Sequence, residues 1–304
     1  MKEIDRIIFA SDTVRVGAFR CPVSDPRFPD SGPIRESLVA FPRRGVWIRQ
    51  EGSPSVVADP GIVTIYNRGR HYDRAAVSAD GDISDWFAVA PDVAVAIARE
   101  VDPCASAEPE RAFRFEVAPA DHGLYLRQRR LFLAIERGEL EPFAVEEQVL
   151  TLVEEVLRRA AGRDGDRPAL SLARRDLIER AKAELARDVA EPTDLRQLST
   201  RLEASPSHIC RVFLQGTGRT LHQYRLELRL RNALESLGES RMGVSRLAAE
   251  LGFSSHSHFT AVLRRRYGMT PTEIRSTLRG SRPPQRRALL HSVSRATPPA
   301  THRY

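Results

Sequence analysis

The stretch Leu195-Arg-Gln-Leu-Ser-Thr-Arg-Leu202, followed by Ser205-Pro-Ser-His-Ile-Cys-Arg-Val-Phe213, decides the fold because its pattern recurs about fifty residues later. The apolar residues of the second copy are Val244, Leu247, Leu251, Phe259, Val262 and Leu263. The offset is 49 residues before the turn and 50 after it, so the second turn holds one extra residue. Apolar residues at helical spacing predict amphipathic helices, and two short helices joined by a tight turn predict a helix-turn-helix unit.

The residues at the helix ends support this prediction. Ser205 is a preferred N-cap, and Pro206 is tolerated at the first helical position. Gly218 and Gly268 stand at matching places after the two copies, where a left-handed residue ends a helix. The long continuous segment 220–236 predicts a rigid spacer between the two units.

Charge is distributed unevenly along the chain of 304 residues, whose net charge is +7 and whose pI is about 9.8. Residues 192–279 hold 14 Arg and 7 acidic residues, and residues 280–304 hold 5 Arg and no acid. Residues 1–191 carry 28 basic and 33 acidic residues. A basic third beside a mildly acidic remainder is typical of a DNA-binding domain joined to a domain with another role.

Location follows from what the sequence lacks. No run of about 18 apolar residues predicts a membrane span, and the first residues do not resemble a signal peptide. Cys21, Cys104 and Cys210 are odd in number and far apart, which favours reduced thiols. We therefore expect a cytoplasmic protein without a membrane partner.

Residues 1–120 predict short strands, because β-branched and aromatic runs alternate with turn signals such as Asp25-Pro26 and Asp80-Gly81. Such spacing is typical of a small barrel or jelly roll. From Leu124 the apolar period becomes helical, and residues 121–162 predict a helical hairpin. The fold class is therefore α+β. Residues 163–170 predict a linker, 171–279 an all-α domain, and 280–304 a disordered basic tail.

The hairpin also predicts an assembly. Val149, Leu152, Val153 and Val156 share one helical face, which we expect to join two copies of the chain into a dimer. The alternative is that this face packs onto the barrel of the same chain.

The segments Ser205–Phe213, Gly218–Tyr224, Leu251–Phe259 and Tyr267-Gly-Met-Thr-Pro271 resemble, in this order, the AraC/XylS family of bacterial transcription regulators. The resemblance covers about residues 175–278. It implies two three-helix subdomains whose recognition helices enter successive major grooves about 34 Å apart on one face of duplex DNA. The order of strands, hairpin and helices also resembles family members with a cupin-like N-terminal β-barrel that dimerises. RNA polymerase is then an expected partner.

By this resemblance, seven residues map onto the groove-facing sides of the recognition helices. They are Ser207, Cys210 and Arg211 in the first helix, and His256, Ser257, Thr260 and Arg264 in the second. Arg211 is the strongest candidate because Arg can bind guanine in bidentate fashion, with a phosphate contact or an ion pair as the alternative. Ala261 replaces a frequent Arg of the family, which predicts a less discriminating second half. His256 and His258 point roughly 200° apart on a helix, so they do not form a metal pair.

A pocket inside the barrel could hold a small-molecule effector. Candidate walls are Trp47, Tyr66 and Trp86, with Arg49 and Arg68 as anchors for an anionic group, and ordinary core packing is the alternative. Metal-dependent cupins need several His, whereas residues 1–190 contain only His71 and His122. We therefore expect no metal, no cofactor and no enzymatic activity.

Three hypotheses remain at this point. The first is a sequence-specific transcription regulator, an activator, controlled by an effector in the N-terminal domain. The second is a DNA-binding regulator whose N-terminal domain is an assembly or protein-interaction module without a ligand. The third is a cupin-type enzyme, which a stoichiometric bound metal would favour.

Overall fold

The computed structural model of the chain describes residues 4–30, 32–164, 170–191 and 194–280. Most of the predicted linker 163–170 and nearly all of the predicted tail 280–304 lie outside these residues. In the described part, strands come first and helices later, so the fold is α+β as predicted. The strands are β1 Asp5–Ala10, β2 Val14–Cys21, β3 Ser37–Pro42, β4 Val46–Gln50, β5 Val56–Ala58, β6 Ile62–Tyr66, β7 Tyr72–Ala76, β8 Asp82–Val89 and β9 Val117–Pro119.

The described strands form two antiparallel sheets instead of the closed barrel expected from the sequence. The larger sheet has the order β1-β2-β8-β3-β6-β9, and the smaller one has the order β5-β4-β7. Short strands with frequent turn signals fit a double sheet as well as a barrel, so the pattern could not separate the two.

The helices are α1 Pro91–Val101, α2 His122–Glu136, α3 Pro142–Asp164, α4 Leu172–Arg187, α5 Leu195–Leu202, α6 Pro206–Thr217, α7 Leu221–Glu239, α8 Val244–Glu250, α9 His256–Tyr267 and α10 Pro271–Leu278. A short 3-10 helix spans Pro109–Arg111. The predicted hairpin is present as α2 and α3. The predicted spacer is α7, which starts at a capping box formed by Thr220 and Gln223.

The hairpin face that we expected at a dimer interface is buried within the single chain. Val149, Val153 and Val156 are fully buried in a core that also contains Val39 and Phe87 of the larger sheet. The assignment of this face to a dimer is therefore wrong, and the alternative, packing onto the strand domain, is what the structure shows. The reason is that the larger sheet presents an apolar face of its own, which must be covered.

The two helix-turn-helix units have separate cores. The first unit packs α4, α5 and α6 around Ile209, Val212 and Phe213. The second unit packs α8, α9 and α10 against the C-terminal part of α7, and its core also takes in Tyr125 and Leu133 of α2. The second unit is thus completed by a helix of the N-terminal half.

The turns of the two units each contain a residue with positive φ at the same place, but the residue type differs. Glu203 has φ 53°, and among the described residues it is the single non-glycine residue with a positive φ. Gly252, at the matching place, has φ 72°. A Cβ at Gly252 would lie 2.4 Å from the carbonyl oxygen of Ala190, so close packing as well as φ requires glycine there.

Candidate nucleic-acid interface and ligand cavity

Helices α6 and α9 are the second helices of the two units; both end at the predicted glycines, and α6 starts at the predicted cap Ser205. Ser205 and Ser255 cap their N-termini by accepting hydrogen bonds from the backbone N–H of His208 and His258. Each helix ends at a left-handed glycine, Gly218 or Gly268. One side of each helix is buried, and the other side is open to solvent.

Six of the seven candidate DNA contacts lie on these open sides. The exposed candidates are Ser207, Cys210, Arg211, His256, Ser257 and Arg264. Thr260 differs, because its side chain is half-buried and its hydroxyl oxygen is enclosed without a hydrogen-bond partner among the described residues. Thr260 lies at the flank of α9, one residue after the buried Phe259, so its hydroxyl turns toward the protein.

Arg211 is held beside His208 by a contact of 3.3 Å between its guanidinium nitrogen Nη2 and the imidazole Nδ1. No carboxylate pairs with Arg211 in the described part of the chain. The ion-pair alternative for Arg211 is therefore not realised, and its guanidinium is free to contact a base or a phosphate.

The last turn of α9 carries three consecutive cations, Arg264, Arg265 and Arg266. All three are exposed, and Arg266 also lies 3.5 Å from the Glu227 carboxylate. Cations at a helix C-terminus interact favourably with the helix dipole, and exposed ones also attract phosphates.

A residue that the sequence analysis missed ties the two units together. Arg229 of α7 donates hydrogen bonds to the carbonyl oxygens of Val189 at 2.5 Å, Ala190 at 3.0 Å and Gly252 at 3.0 Å. These oxygens belong to the segment before α5 and to the turn before α9. A single guanidinium therefore fixes both units to the spacer helix.

A cavity of about 490 Å³ lies in the strand domain. Tyr66 and Trp86, two of the predicted wall residues, line it together with Tyr72. The Trp86 indole N–H donates to the Asp5 carboxylate at 2.7 Å, and Gly17 leaves room for the indole ring. These side chains are large, partly polar and fixed in place.

Three predicted pocket residues, Trp47, Arg49 and Arg68, do not line this cavity, so these assignments are wrong. Side chains alternate between the two faces of a strand, and in β4 Val46 and Ile48 take the cavity side. Trp47 consequently packs on the outer side, against Val57, Val77, Ala183 and Ala186. Arg49 forms a surface ion pair with Asp73 at 2.5 Å, and Arg68 is exposed on the turn after β6.

Asp82, which lines the cavity, belongs to a buried ion pair. Arg74 contacts Asp82 at 3.2 Å, and the Arg74 guanidinium lies 4.7 Å from the ring centre of Phe19. Burial raises the pKa of Asp82, although Arg74 opposes this shift. Burial also raises the pKa of Tyr66, so its hydroxyl stays protonated and can donate a hydrogen bond. Alternation along β8 places Asp82, Ser84 and Trp86 on one face and could have pointed to this group.

The rim of the cavity is richer in Arg than the sequence suggested. Arg15 pairs with Glu36 at 2.6 Å. Arg35 is exposed at the rim and has no ion-pair or hydrogen-bond partner among the described residues. Arg35 is thus an unpaired cation at this cavity, whereas Arg49 and Arg68 lie away from it.

A buried cluster of charges joins the strand domain to spacer helix α7. Arg129 of α2 contacts Asp85 of β8 at 2.8 Å and Glu235 of α7 at 2.9 Å. Arg43 contacts Glu235 at 2.5 Å, and the Tyr125 hydroxyl donates to Glu235 at 2.7 Å. The side chains of Arg129, Asp85, Glu235 and Arg43 are at most 5% exposed. Burial raises the pKa of Asp85, whereas Arg129 and Arg43 overcome burial and lower the pKa of Glu235.

A second buried contact lies near the N-terminal end of α7. The Tyr224 hydroxyl donates to the fully buried carboxylate of Asp59, which also accepts from the backbone N–H of Gly61 at 2.6 Å. Arg231 donates to the carbonyl oxygen of Ala120 at 2.6 Å. The spacer is thus fixed to the strand domain at two places.

The described residues were also compared with the requirements of a metal site and of a membrane span. No group of three or more His, Cys, Asp or Glu residues within the described ranges is arranged to hold a metal ion. None of the described helices is long and apolar enough to cross a membrane. The three cysteines are free, with Cys21 buried and Cys104 and Cys210 exposed.

Comparisons with known proteins match the C-terminal part of the chain. Residues 198–277 match the family described as a helix-turn-helix domain. The chain is 32% identical over 93 residues to the transcriptional regulator ArgR of Pseudomonas aeruginosa, which covers 31% of this chain and 28% of that protein. It is 30% identical over 99 residues to the transcriptional activator RhaR of Escherichia coli, and the matched segment is 33% of this chain and 35% of RhaR. The chain thus spans about a third of the length of these relatives, which are named as transcription regulators and not as enzymes.

Two solved structures show weaker similarity. The fatty acid-bound ToxT of Vibrio cholerae covers 92% of this chain and 99% of its own, with 10% identity and a TM-score of 0.37. The similarity to an AraC-type regulator of Chromobacterium violaceum covers 39% of this chain and 96% of that regulator, with 24% identity and a TM-score of 0.31. TM-scores this low do not establish a common fold for the whole chain. The C-terminal part of this chain, with its two helix-turn-helix units, is therefore similar to the DNA-binding domains of bacterial transcription regulators.

Proposed function

We propose that this chain is a sequence-specific DNA-binding transcription regulator, an activator, that reads duplex DNA with α6 and α9. The observation that carries the proposal is the pair of capped helices with matched outward faces, related by an offset of 50 residues. Their exposed polar side chains have few partners within the protein, which suits base edges and phosphates. The surrounding segment is also the basic part of the chain.

In this proposal Arg211 reads a base, while Ser207, Cys210, His256, Ser257 and Arg264 are further contacts. Thr260 would contribute through its methyl group or through a change of rotamer, since its hydroxyl is enclosed.

The test compares Arg211→Ala with Arg99→Ala, an equal loss of charge on an exposed residue of α1, using the full chain and a site selected from random DNA. Arg211→Ala should cost about 1–3 kcal/mol and remove the preference at one base pair. Arg99→Ala should leave affinity and preference near those of the wild type. Equal weakening by Arg211→Ala on every sequence would assign Arg211 to a phosphate, and absence of any selected sequence would refute the proposal.

We also propose that the strand domain is a cupin-like sensor that binds a small-molecule effector in the cavity between its strands. The support is a cavity of about 490 Å³ with aromatic walls, the carboxylate of the buried Asp82–Arg74 pair in its lining and the free Arg35 at its rim. These features suit a ligand with apolar bulk and an anionic group. The rival reading, an assembly module without a ligand, shares the same DNA-binding half.

The route from cavity to DNA in this proposal runs through β8. Trp86 faces the cavity, and the preceding residue, Asp85, faces the opposite side and joins the buried charges around Glu235 of α7. A ligand that binds one arrangement of β8 better than another would shift the docking of α7 by that difference in affinity. A homodimer, a contact with RNA polymerase and a cytoplasmic location belong to the same proposal.

A further inference from the structure

Leu214 is an apolar residue on the side of α6 that faces away from the protein core. Its exposed fraction is 48%, whereas Ile209, Val212 and Phe213 of the same helix are at most 1% exposed. Leu214 follows Arg211 by three residues and Ser207 by seven, so it continues the outward stripe of these two candidates. Packing in the core of the first unit therefore does not explain why an apolar residue stands at position 214.

The second unit carries a different residue at this position. The offset of 50 aligns Leu214 with Arg264 and Gln215 with Arg265. Helix α9 thus ends in exposed cations that suit phosphates, whereas the outward side of α6 has one cation, Arg211, followed by an apolar surface. Leucine has no donor for a phosphate oxygen, so a backbone contact does not explain Leu214 either.

The major groove offers one apolar feature, the C5-methyl group of thymine. We propose that Leu214 is a specificity-determining residue that packs against the methyl group of a thymine in the half-site read by α6. The neighbouring base is read by Arg211 in the same half-site. This inference rests on the proposed function, because it requires α6 to enter the groove.

The experiment removes only the methyl group. The full chain is bound to its selected site, and each thymine of the two sequence blocks is replaced in turn by deoxyuridine. Wild-type affinity should fall about four-fold at one thymine of the α6 block, which corresponds to ~0.8 kcal/mol for one buried methyl-sized group. Leu214→Ala should bind thymine and deoxyuridine equally at that position. Leu214→Gln, which keeps the size but not the apolar surface, should do the same.

The control variant is Phe143→Ala, because Phe143 is 77% exposed on α3 of the N-terminal half. It should keep the wild-type difference between the two bases. The proposal is overturned if the wild type discriminates at no thymine of the α6 block, or if either Leu214 variant discriminates as the wild type does. In both cases a selected site would still be bound, which separates this failure from failure of the proposed function. A Leu214 variant that changes self-association but not base discrimination assigns the leucine to a protein contact and also overturns it.

Discussion

At the scale of single residues, strand alternation decides which of two tryptophans can meet a ligand. Both were candidates, because aromatic residues in a strand region can line a pocket or fill a core. Trp86 lies in the cavity wall, whereas Trp47 packs against Ala183 and Ala186 of α4 on the outer side of the smaller sheet. The sequence showed that these residues lie in strands. It did not show which face of each strand is turned inward, because that depends on how the two sheets pair.

The two tryptophans provide a matched test of the effector proposal. A ligand that binds the native state raises the thermal stability of the full chain, and Trp86→Ala should abolish that shift. Trp47→Ala should lower the Tm of the unliganded chain yet keep the shift. Thermal-shift screening against small anionic metabolites measures both. A shift that survives Trp86→Ala and is lost with Trp47→Ala would place the ligand elsewhere.

Asp59 predicts a pH dependence of stability. Burial is the largest cause that raises its pKa in the folded chain, against the opposing effects of Lys182, Tyr224 and Arg231. The folded state therefore binds the proton more tightly than the unfolded state does. The stability contributed by this group is fully present below the ordinary carboxyl pKa of ~3.9 and is lost as pH rises through the raised value.

The variant Asp59→Asn removes this titration. Relative to the wild type, it should gain stability as pH rises from about 4 to 7, measured as the free energy of unfolding in denaturant at each pH. The same pH slope for both proteins would mean that Asp59 stays ionised in the folded chain, paired with the cations around it.

At the scale of elements, helical periodicity correctly predicted the hairpin, the spacer and the helices of both units. What it could not supply was the partner of each apolar face. The face of α3 was assigned to a second copy of the chain, but it covers the larger sheet. Similarly, α2 completes the core of the second unit through Tyr125 and Leu133. A periodic pattern predicts that a helix face is buried, but the surface that covers this face is known only from the tertiary fold.

The charges between α2, β8 and α7 predict a large effect of one substitution. Arg129→Ala leaves Asp85 and Glu235 buried with fewer partners, and breaking a buried pair in this way costs about 3–5 kcal/mol. Arg49→Ala removes the exposed pair with Asp73 and should cost less than about 1 kcal/mol. Chemical denaturation of the full chain measures both variants. Equal, small effects would mean that the cluster around Glu235 does not hold α7 in place.

At the scale of the whole molecule, the N-terminal half contacts both helix-turn-helix units. Ala183 and Ala186 of α4 pack on the smaller sheet, and Leu133 of α2 packs into the second unit. Arg229 ties the units to α7 between these contacts. The relative placement of α6 and α9 is therefore set by the spacer and by the domain that carries the cavity, and under the proposed function an effector would act on DNA binding through these contacts.

The measurement that tests the central claim most directly is the affinity of the full chain for its selected site, with and without five extra base pairs between the two sequence blocks. In the proposed function the two recognition helices on one rigid spacer reach successive major grooves on one face of DNA, and five base pairs would turn the second block to the opposite face. We predict that the insertion lowers affinity to that of a site with one block scrambled. An affinity unchanged by the insertion would contradict simultaneous reading by α6 and α9.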